Sequence, residues 1–533
     1  MTKLTIKHYL IIASLLLTAF LIIFQNLGKI PLGTGDFFFA LFISLAFSLY
    51  RPGWAFLFLV ATIPLENINL TPESFSLIVR PYQLVALSIG ASLVIRHFTK
   101  KINFSLPRWH FSDIFIIILV LASFWSALLS EEKDLAFKLS FVMASFAFIY
   151  LLGRIYLQEI GDLRRIIPVF LGSSFIISLY GIWQNFRFTR GLPAFEVMPG
   201  RPNATFTEPD WMGIYLVLIV SLVFSSVYFF LSKKTRENQE EISNFEFRIS
   251  KQFENYNSQI TKIFLFIFLV STFVLLIISV SRSAWAGAVV SAIFFLFLVA
   301  TNLRFNPKMW NLRTFGKSLV FISASLIISL GLVYALRLTT FELGSRAASS
   351  GGEEKITLAC DDDRELPKKI SSLAELENFS CQHIDLEDIE VERSEGRFIR
   401  EILRPDPNVN IRAKIYGTVW NTIKDNWIAG IGWGNIGKIL GTDERGATLN
   451  ASNMFLEVYL GSGIVGFLAF ILLLGYIFLR NAWKFFFAQS SEHKTLALFV
   501  LIALAGLSMA NLWNSGIMLG FMWLFLVIGL VRK

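Results

Sequence analysis

Apolar runs of about twenty residues, parted by short polar breaks, recur along this whole chain. A helix of about 20 residues crosses a hydrocarbon core, where lipid offers no partner to open backbone groups. The pattern predicts crossings over Tyr9–Leu27, Gly35–Tyr50, Gly53–Glu66, Val79–Arg96, Ser112–Ser130, Leu135–Leu152, Arg165–Gln184, Trp211–Leu231, Ile263–Val280, Ala284–Ala300, Leu319–Leu336, Asn453–Leu479, Thr495–Ala510 and Ser515–Val531. The second and third are short and separated only by Arg51 and Pro52, so they read equally as one re-entrant pair. The count is therefore about 12–14. The first run follows Lys3, Lys7 and His8 and lacks a small-residue cleavage site, so it reads as a retained span.

Three stretches break the rhythm. Ser232–Thr261 mixes charges and aromatics and reads as a surface helix or linker. Asn185–Asp210 holds Gly191, Pro193, Gly200 and Pro202 and reads as turn-rich. Arg337–Asn450 is long enough for a small domain. Within it, Glu353 to Glu392 is acidic and poor in aromatics, which predicts a flexible insertion. Beyond it, Ile415, Val419 and Ile423 recur at a spacing of four, which predicts an amphipathic helix on the membrane surface. A glycine-rich turn follows at Gly430–Gly437. The predicted organisation is a helix bundle over 1–336, a loop over 337–452 with its insertion at about 352–393, and closing helices over 453–533.

Composition strengthens the membrane reading. Charged residues are 16% and hydrophobic ones 54%, whereas a soluble domain carries about 25% charged residues. The fold class expected is an all-α polytopic membrane protein with one long extracytoplasmic loop. The net charge of +9 is assigned to cytoplasmic loops that orient the chain, not to nucleic acid. Arg51, Arg96, Lys100, Lys101, Arg108, Arg154, Arg164, Arg165, Lys233, Lys234, Arg304, Lys308, Arg480, Lys484 and Lys533 fall on alternate connections, with both termini on that side. The exception is the opposite turn holding Arg187, Arg190 and Arg201. Cys360 and Cys381, the only cysteines, both lie in the long loop, where an oxidising compartment permits a disulfide.

Candidate chemistry concentrates on the side of that loop. Arg282 stands in an otherwise apolar stretch, so it faces protein, water or an anion, or else snorkels from a hairpin turn. Arg201, Glu208 and Asp210 precede a span, where the carboxylates also suit a helix N-terminus and Trp211 an interfacial belt. Ser452 and Asn453 stand at the mouth of another, with Glu457 one turn on. Capping accounts for the polar pair, and a wet carboxylate there accepts a proton. His8, His97, His110, His383 and His493 show no metal-ligand spacing, and the glycine-rich turn lacks the lysine and hydroxyl of a P-loop. Neither metal nor cofactor is expected.

The order of these motifs resembles the O-antigen ligase and O-antigen polymerase superfamily. The resemblance rests on Arg201 to Asp210, Ser281 to Trp285, Arg412, Trp420, Gly430 to Asn435, Ser452-Asn453, and Gly463 to Gly466. It implies a metal-independent, inverting glycosyltransferase in the bacterial cytoplasmic membrane. The donor would be a polyprenyl-diphosphate-linked glycan, and the acceptor another glycan, a lipid or a protein, among membrane lipids. Arg201 and Arg282 would hold the diphosphate, with Arg412 as a third candidate and Ser452 and Asn453 on the substrate wall. Ligases of the family carry histidine where this chain has Ser452, so the base falls to Glu457 or Glu208, and a polymerase-like transferase is favoured over a lipid A core ligase. Two rival classes remain. A flippase or transporter of a lipid-linked glycan should place ionisable groups in mid-span. A non-catalytic assembly protein would need none of this chemistry.

Overall fold

The computed structural model describes residues 6–531 apart from 76, 102–106, 108, 195–197, 199, 238–246, 303–309, 339–352, 364–365, 372, 385–388, 406 and 443–448. The middle of the Ser232–Thr261 connection lies outside the described residues, as do Arg108, Arg304, Lys308 and Lys533. Helices follow the apolar runs. In order they are α1 (Ile6–Asn26), α2 (Thr34–Tyr50), α3 (Pro52–Thr62), α4 (Pro81–Phe98), α5 (Phe111–Leu129), α6 (Lys133–Tyr156), α7 (Ile160–Phe188), α8 (Pro209–Glu237), α9 (Phe247–Ile278), α10 (Arg282–Thr301) and α11 (Leu312–Ala335). Then follow α12 (Ile389–Ser394), α13 (Pro407–Asp425), α14 (Ile436–Leu440), α15 (Met454–Phe487), α16 (Ser491–Ala510) and α17 (Gly520–Ile528).

Ten helices among the described residues are long and apolar enough to cross a membrane, and α2 and α3 are shorter apolar helices. The chain is a multi-pass, all-α membrane protein. The span expected at Ser515–Val531 is corrected to α17, which is nine residues long. Gly520–Val527 is buried throughout, and Trp523 donates its indole N–H to the Ile517 carbonyl at 2.7 Å. Its hydropathy reflects a protein core rather than lipid.

Helix α8 packs against α9, α10 and α16. The α10–α16 contact depends on small residues. A Cβ on Gly287 would stand 2.7 Å from the Gly506 carbonyl oxygen. Ser291 accepts a hydrogen bond from the Ser221 hydroxyl and donates to the Ile502 carbonyl. Close backbone approach and polar cross-links of this kind hold helices together where lipid supplies no hydrophobic drive.

The successive crossings bring the described residues of 63–80, 189–208, 279–281, 336–453 and 511–519 to one end, called here the loop end. Contacts between these segments tie it together. The Glu66 and Asn67 amides donate to the Thr205 carbonyl at 2.8 and 2.9 Å, and the Thr205 hydroxyl donates to the Pro64 carbonyl at 2.7 Å. The Glu66 carboxylate is buried and accepts from Tyr82 and from the Gly520 amide. It also pairs with Arg80 at 2.9 Å. A buried carboxylate is tolerable only with such partners.

The acidic insertion is not a flexible strand of chain. It folds as a three-stranded antiparallel sheet with β1 (Glu353–Cys360) between β2 (Cys381–Ile384) and β3 (Phe398–Pro405). Cys360 pairs with Cys381 in the ladder, and the two form a disulfide. Ile356, Leu358, Ile370, Leu376 and Ile402 close a small core over it. The expectation for α13 is also corrected. Ile415, Val419 and Ile423 are its buried face, but they join the protein core instead of a membrane surface.

Candidate functional site at the loop end

The segment before α8 is rigid. Pro202 to Phe206 is buried throughout. The Ala204 amide donates to the Gln184 side chain at 2.9 Å, and Asn203 donates to the Phe206 carbonyl at 2.6 Å. Gly200 turns the chain at φ 72°, a left-handed angle that glycine takes without Cβ strain. This loop presents Arg201, whose side chain is 12% exposed. Its guanidinium donates to the Ser279 carbonyl at 3.0 Å, to Asp210 at 3.1 Å and to the Met198 sulfur at 3.3 Å.

The Ser279 contact joins Arg201 to the turn that starts α10. Val280 has φ 54°, and Arg282 is the first residue of the helix, partly exposed. Trp285 fixes the turn by donating to the Leu276 carbonyl at 2.7 Å. Arg201 and the Arg282 turn, far apart in sequence, are thus one physical unit. Glu208, half-buried, completes the near wall. Burial, and then the neighbouring Asp210 carboxylate, push Glu208 above the usual carboxylate range, against the opposing pull of Arg201.

The second wall is the start of α15. Asn453 caps it, accepting from the Phe455 and Leu456 amides at 2.9 and 3.1 Å and donating to the Leu512 carbonyl at 3.0 Å. Ser452 has φ 45°, and its amide and hydroxyl both donate to the Asn450 side chain. These bonds make both residues builders of the entry. Glu457, one turn in, is half-buried, with the Ala451 amide and Ser515 hydroxyl at its carboxylate and Glu208 within electrostatic reach. Arg412 lies on α13, partly exposed and without an ion-pair partner among the described residues. One turn on, Tyr416 donates to the same Leu512 carbonyl that Asn453 uses, at 3.4 Å. That shared acceptor brings the Arg412 helix to the mouth of α15.

The glycine-rich turn has a structural task. Helix α15 is broken at Gly463, with φ 64° and ψ −172°. The Ile431 amide donates to the Leu460 carbonyl at 2.7 Å, and the Ile464 amide to the Trp427 carbonyl at 3.2 Å. Residues 427–431 thus dock on the break and serve its freed backbone groups, as a non-helical segment at membrane depth requires. A Cβ on Gly463 would stand 2.1 Å from the Ile428 oxygen, and one on Gly461 2.4 Å from the Trp433 ring. Trp433 in turn donates to Ser123 of α5 at 3.1 Å.

Sequence reasoning missed the Arg201–Asp210 ion pair and the 511–515 turn. The latter carried a signal. Asn511, Asn514 and Ser515 interrupt two apolar runs, and the Asn511 and Asn514 carbonyls both receive the Met454 amide. The Cys360–Cys381 disulfide belongs to the sheet, apart from this cluster. No group of three metal-ligating side chains occurs among the described residues.

A family model described as O-Antigen ligase matches residues 266–471. The match contains Arg282, Arg412, Ser452, Asn453 and Glu457 and leaves out Arg201 and Glu208. No curated protein and no solved structure matches the chain significantly.

Proposed function

We propose, from the premise that this chain is a member of the O-antigen ligase and polymerase superfamily, that it transfers or polymerises polyprenyl-diphosphate-linked glycans. Membership supports a glycosyltransferase-like role in surface glycan assembly, with a lipid-linked donor and an acceptor in the membrane. The finer reading places the reaction at the extracytoplasmic face of the bacterial cytoplasmic membrane, with both termini cytoplasmic. The observation that carries it is the joining of Arg201 to the Arg282 turn through the Ser279 carbonyl, beside Glu208 and Glu457.

The chemistry is a displacement at the anomeric carbon. An acceptor hydroxyl attacks, the bond to the carrier's diphosphate breaks, and configuration inverts. Arg282 and Arg201 take the charge that grows on the leaving diphosphate, as planar guanidiniums do for phosphate oxygens. Arg412 approaches from the far wall. The hydroxyl proton passes to the Glu208–Glu457 pair, and the surroundings of Glu208 favour its protonated form. No metal takes part in this scheme.

The test is transfer in proteoliposomes from a polyprenyl-diphosphate glycan to a glycan acceptor. The expected result is a new glycosidic product with one carrier diphosphate released per bond formed. Carrier release without product would overturn the transferase reading. Arg282→Ala is expected to abolish product in a protein that still elutes as a folded species. Undiminished turnover in that variant would leave Arg282 a purely topological role.

A further inference from the structure

A cavity of about 1090 Å3 opens at the end of the bundle opposite the site just described. It lies where α2 meets α3 and where α4, α6 and α7 have their near ends. Its rim carries Arg51, Arg96, Arg164 and Arg165, and its deeper wall is apolar, including Leu10, Phe56 and Leu57. We propose that this cavity binds the phosphate-bearing headgroup of an anionic phospholipid. The proposal does not depend on the reaction assigned to the loop end.

Three observations support it. First, the charges exceed what their neighbours neutralise. Arg164 pairs with Glu492. Arg51, Arg96 and Arg165 have no carboxylate partner within salt-bridge distance among the described residues. The cavity's own carboxylates are Glu159 and Asp162, and one Asp162 oxygen already accepts the Gln158 and Glu159 amides at 3.1 Å. Second, the Arg51 guanidinium lies 5.2 Å from both the Tyr50 and Trp54 rings. Ring contacts hold a guanidinium by its face and leave its N–H edge for phosphate. Third, Pro168 lines the cavity inside α7. Lacking an N–H, it withholds the usual helical donor from the Arg164 carbonyl one turn back. Charges that only orient a chain need no enclosure. Here they rim a concavity with an apolar wall, and a molecule with a phosphate head and acyl tails matches both parts.

The experiment uses the full chain in phosphatidylcholine nanodiscs, with bound lipid counted by native mass spectrometry during titration with phosphatidylglycerol. Phosphatidylcholine and inorganic phosphate serve as separate arms, read by thermal unfolding. Wild type is expected to retain phosphatidylglycerol at least about tenfold more tightly than phosphatidylcholine, with no stabilisation by millimolar phosphate. The triple variant Arg51→Gln/Arg96→Gln/Arg165→Gln should lose that preference. Arg313→Gln/Lys317→Gln, which removes charge at the same end away from the cavity, should keep it. Gly53→Leu fills the cavity mouth with every charge retained and is expected to lose the preference as well. Unchanged retention in the triple variant or in Gly53→Leu overturns the proposal. So does equal binding of the two lipids. Stabilisation by inorganic phosphate alone replaces the lipid with a soluble anion and overturns it too.

Discussion

Arginines occupy both ends of this bundle under opposite conditions. At the loop end the Arg201 side chain is 12% exposed, while at the other end that of Arg164 is 70% exposed. Arg201 is fixed by a carbonyl, a carboxylate and a sulfur. Arg164 has one carboxylate, in water, and an exposed pair of that kind contributes about 0–1 kcal/mol. A guanidinium already oriented by its surroundings meets an arriving diphosphate without further ordering, whereas an exposed one must first give up its rotamer freedom. Number of positive charges therefore says little about chemistry at either end. What distinguishes the ends is how much of each side chain's geometry is set before a ligand arrives.

The strongest challenge to this contrast strikes the rigid end at its backbone. Gly463→Ala puts a Cβ against the Ile428 oxygen at a φ/ψ pair that only glycine occupies readily. Strain and overlap together should cost about 2–5 kcal/mol, measured as thermal or denaturant unfolding in detergent. Gly331→Ala, in open space on α11, should leave stability unchanged or raise it slightly. Equal behaviour of the two would erase the distinction. Next is charge. Arg201→Ala should lower transfer by about 100- to 1000-fold, the loss typical of one transition-state donor. Arg313→Ala, exposed on α11, should stay within about twofold of wild type, because a surface change usually acts within about 0.5 kcal/mol.

Replacing Cys360 and Cys381 with serine should cost the sheet about 3 kcal/mol by loop-closure entropy, seen as faster proteolysis between β1 and β2. The helix bundle should unfold as before, since the disulfide lies within the sheet's own core. The smallest effect concerns pH. Glu208 must be deprotonated to act as a base, and its raised range places the acid limb of transfer above that of an ordinary carboxylate. Asp210→Asn removes the like charge and frees Arg201 for Glu208. Both changes lower the Glu208 range, so the acid limb should move to lower pH. A shift to higher pH, or none, would detach Glu208 from the reaction.

Much of the bundle could be read from the chain because lipid imposes one rule, about twenty apolar residues per helix. The same rule misread α17, since hydropathy cannot separate burial in protein from burial in lipid. Glycines in a membrane helix read as packing positions. Gly461 fits that reading, but Gly463 does not, because its left-handed angle appears only when the backbone is seen. The sheet was obscured by its acid charge, although Ile356, Leu358 and Cys360 alternate as a strand requires. Of the site, the residue types and the end of the bundle were legible. The Arg201–Ser279 bond and the approach of Glu208 to Glu457 were not, since neither follows a local period.

The break at Gly463 has a mechanical meaning. Above it, Met454 to Ser462 is bonded through the Leu460 carbonyl to the 427–431 segment and through the Met454 amide to the 511–514 turn. Below it, the helix runs on along α5. Glu457 thus rides on a short lever hinged at Gly463 and clamped to the loop, so any load that shifts the loop must also reset the position of that carboxylate.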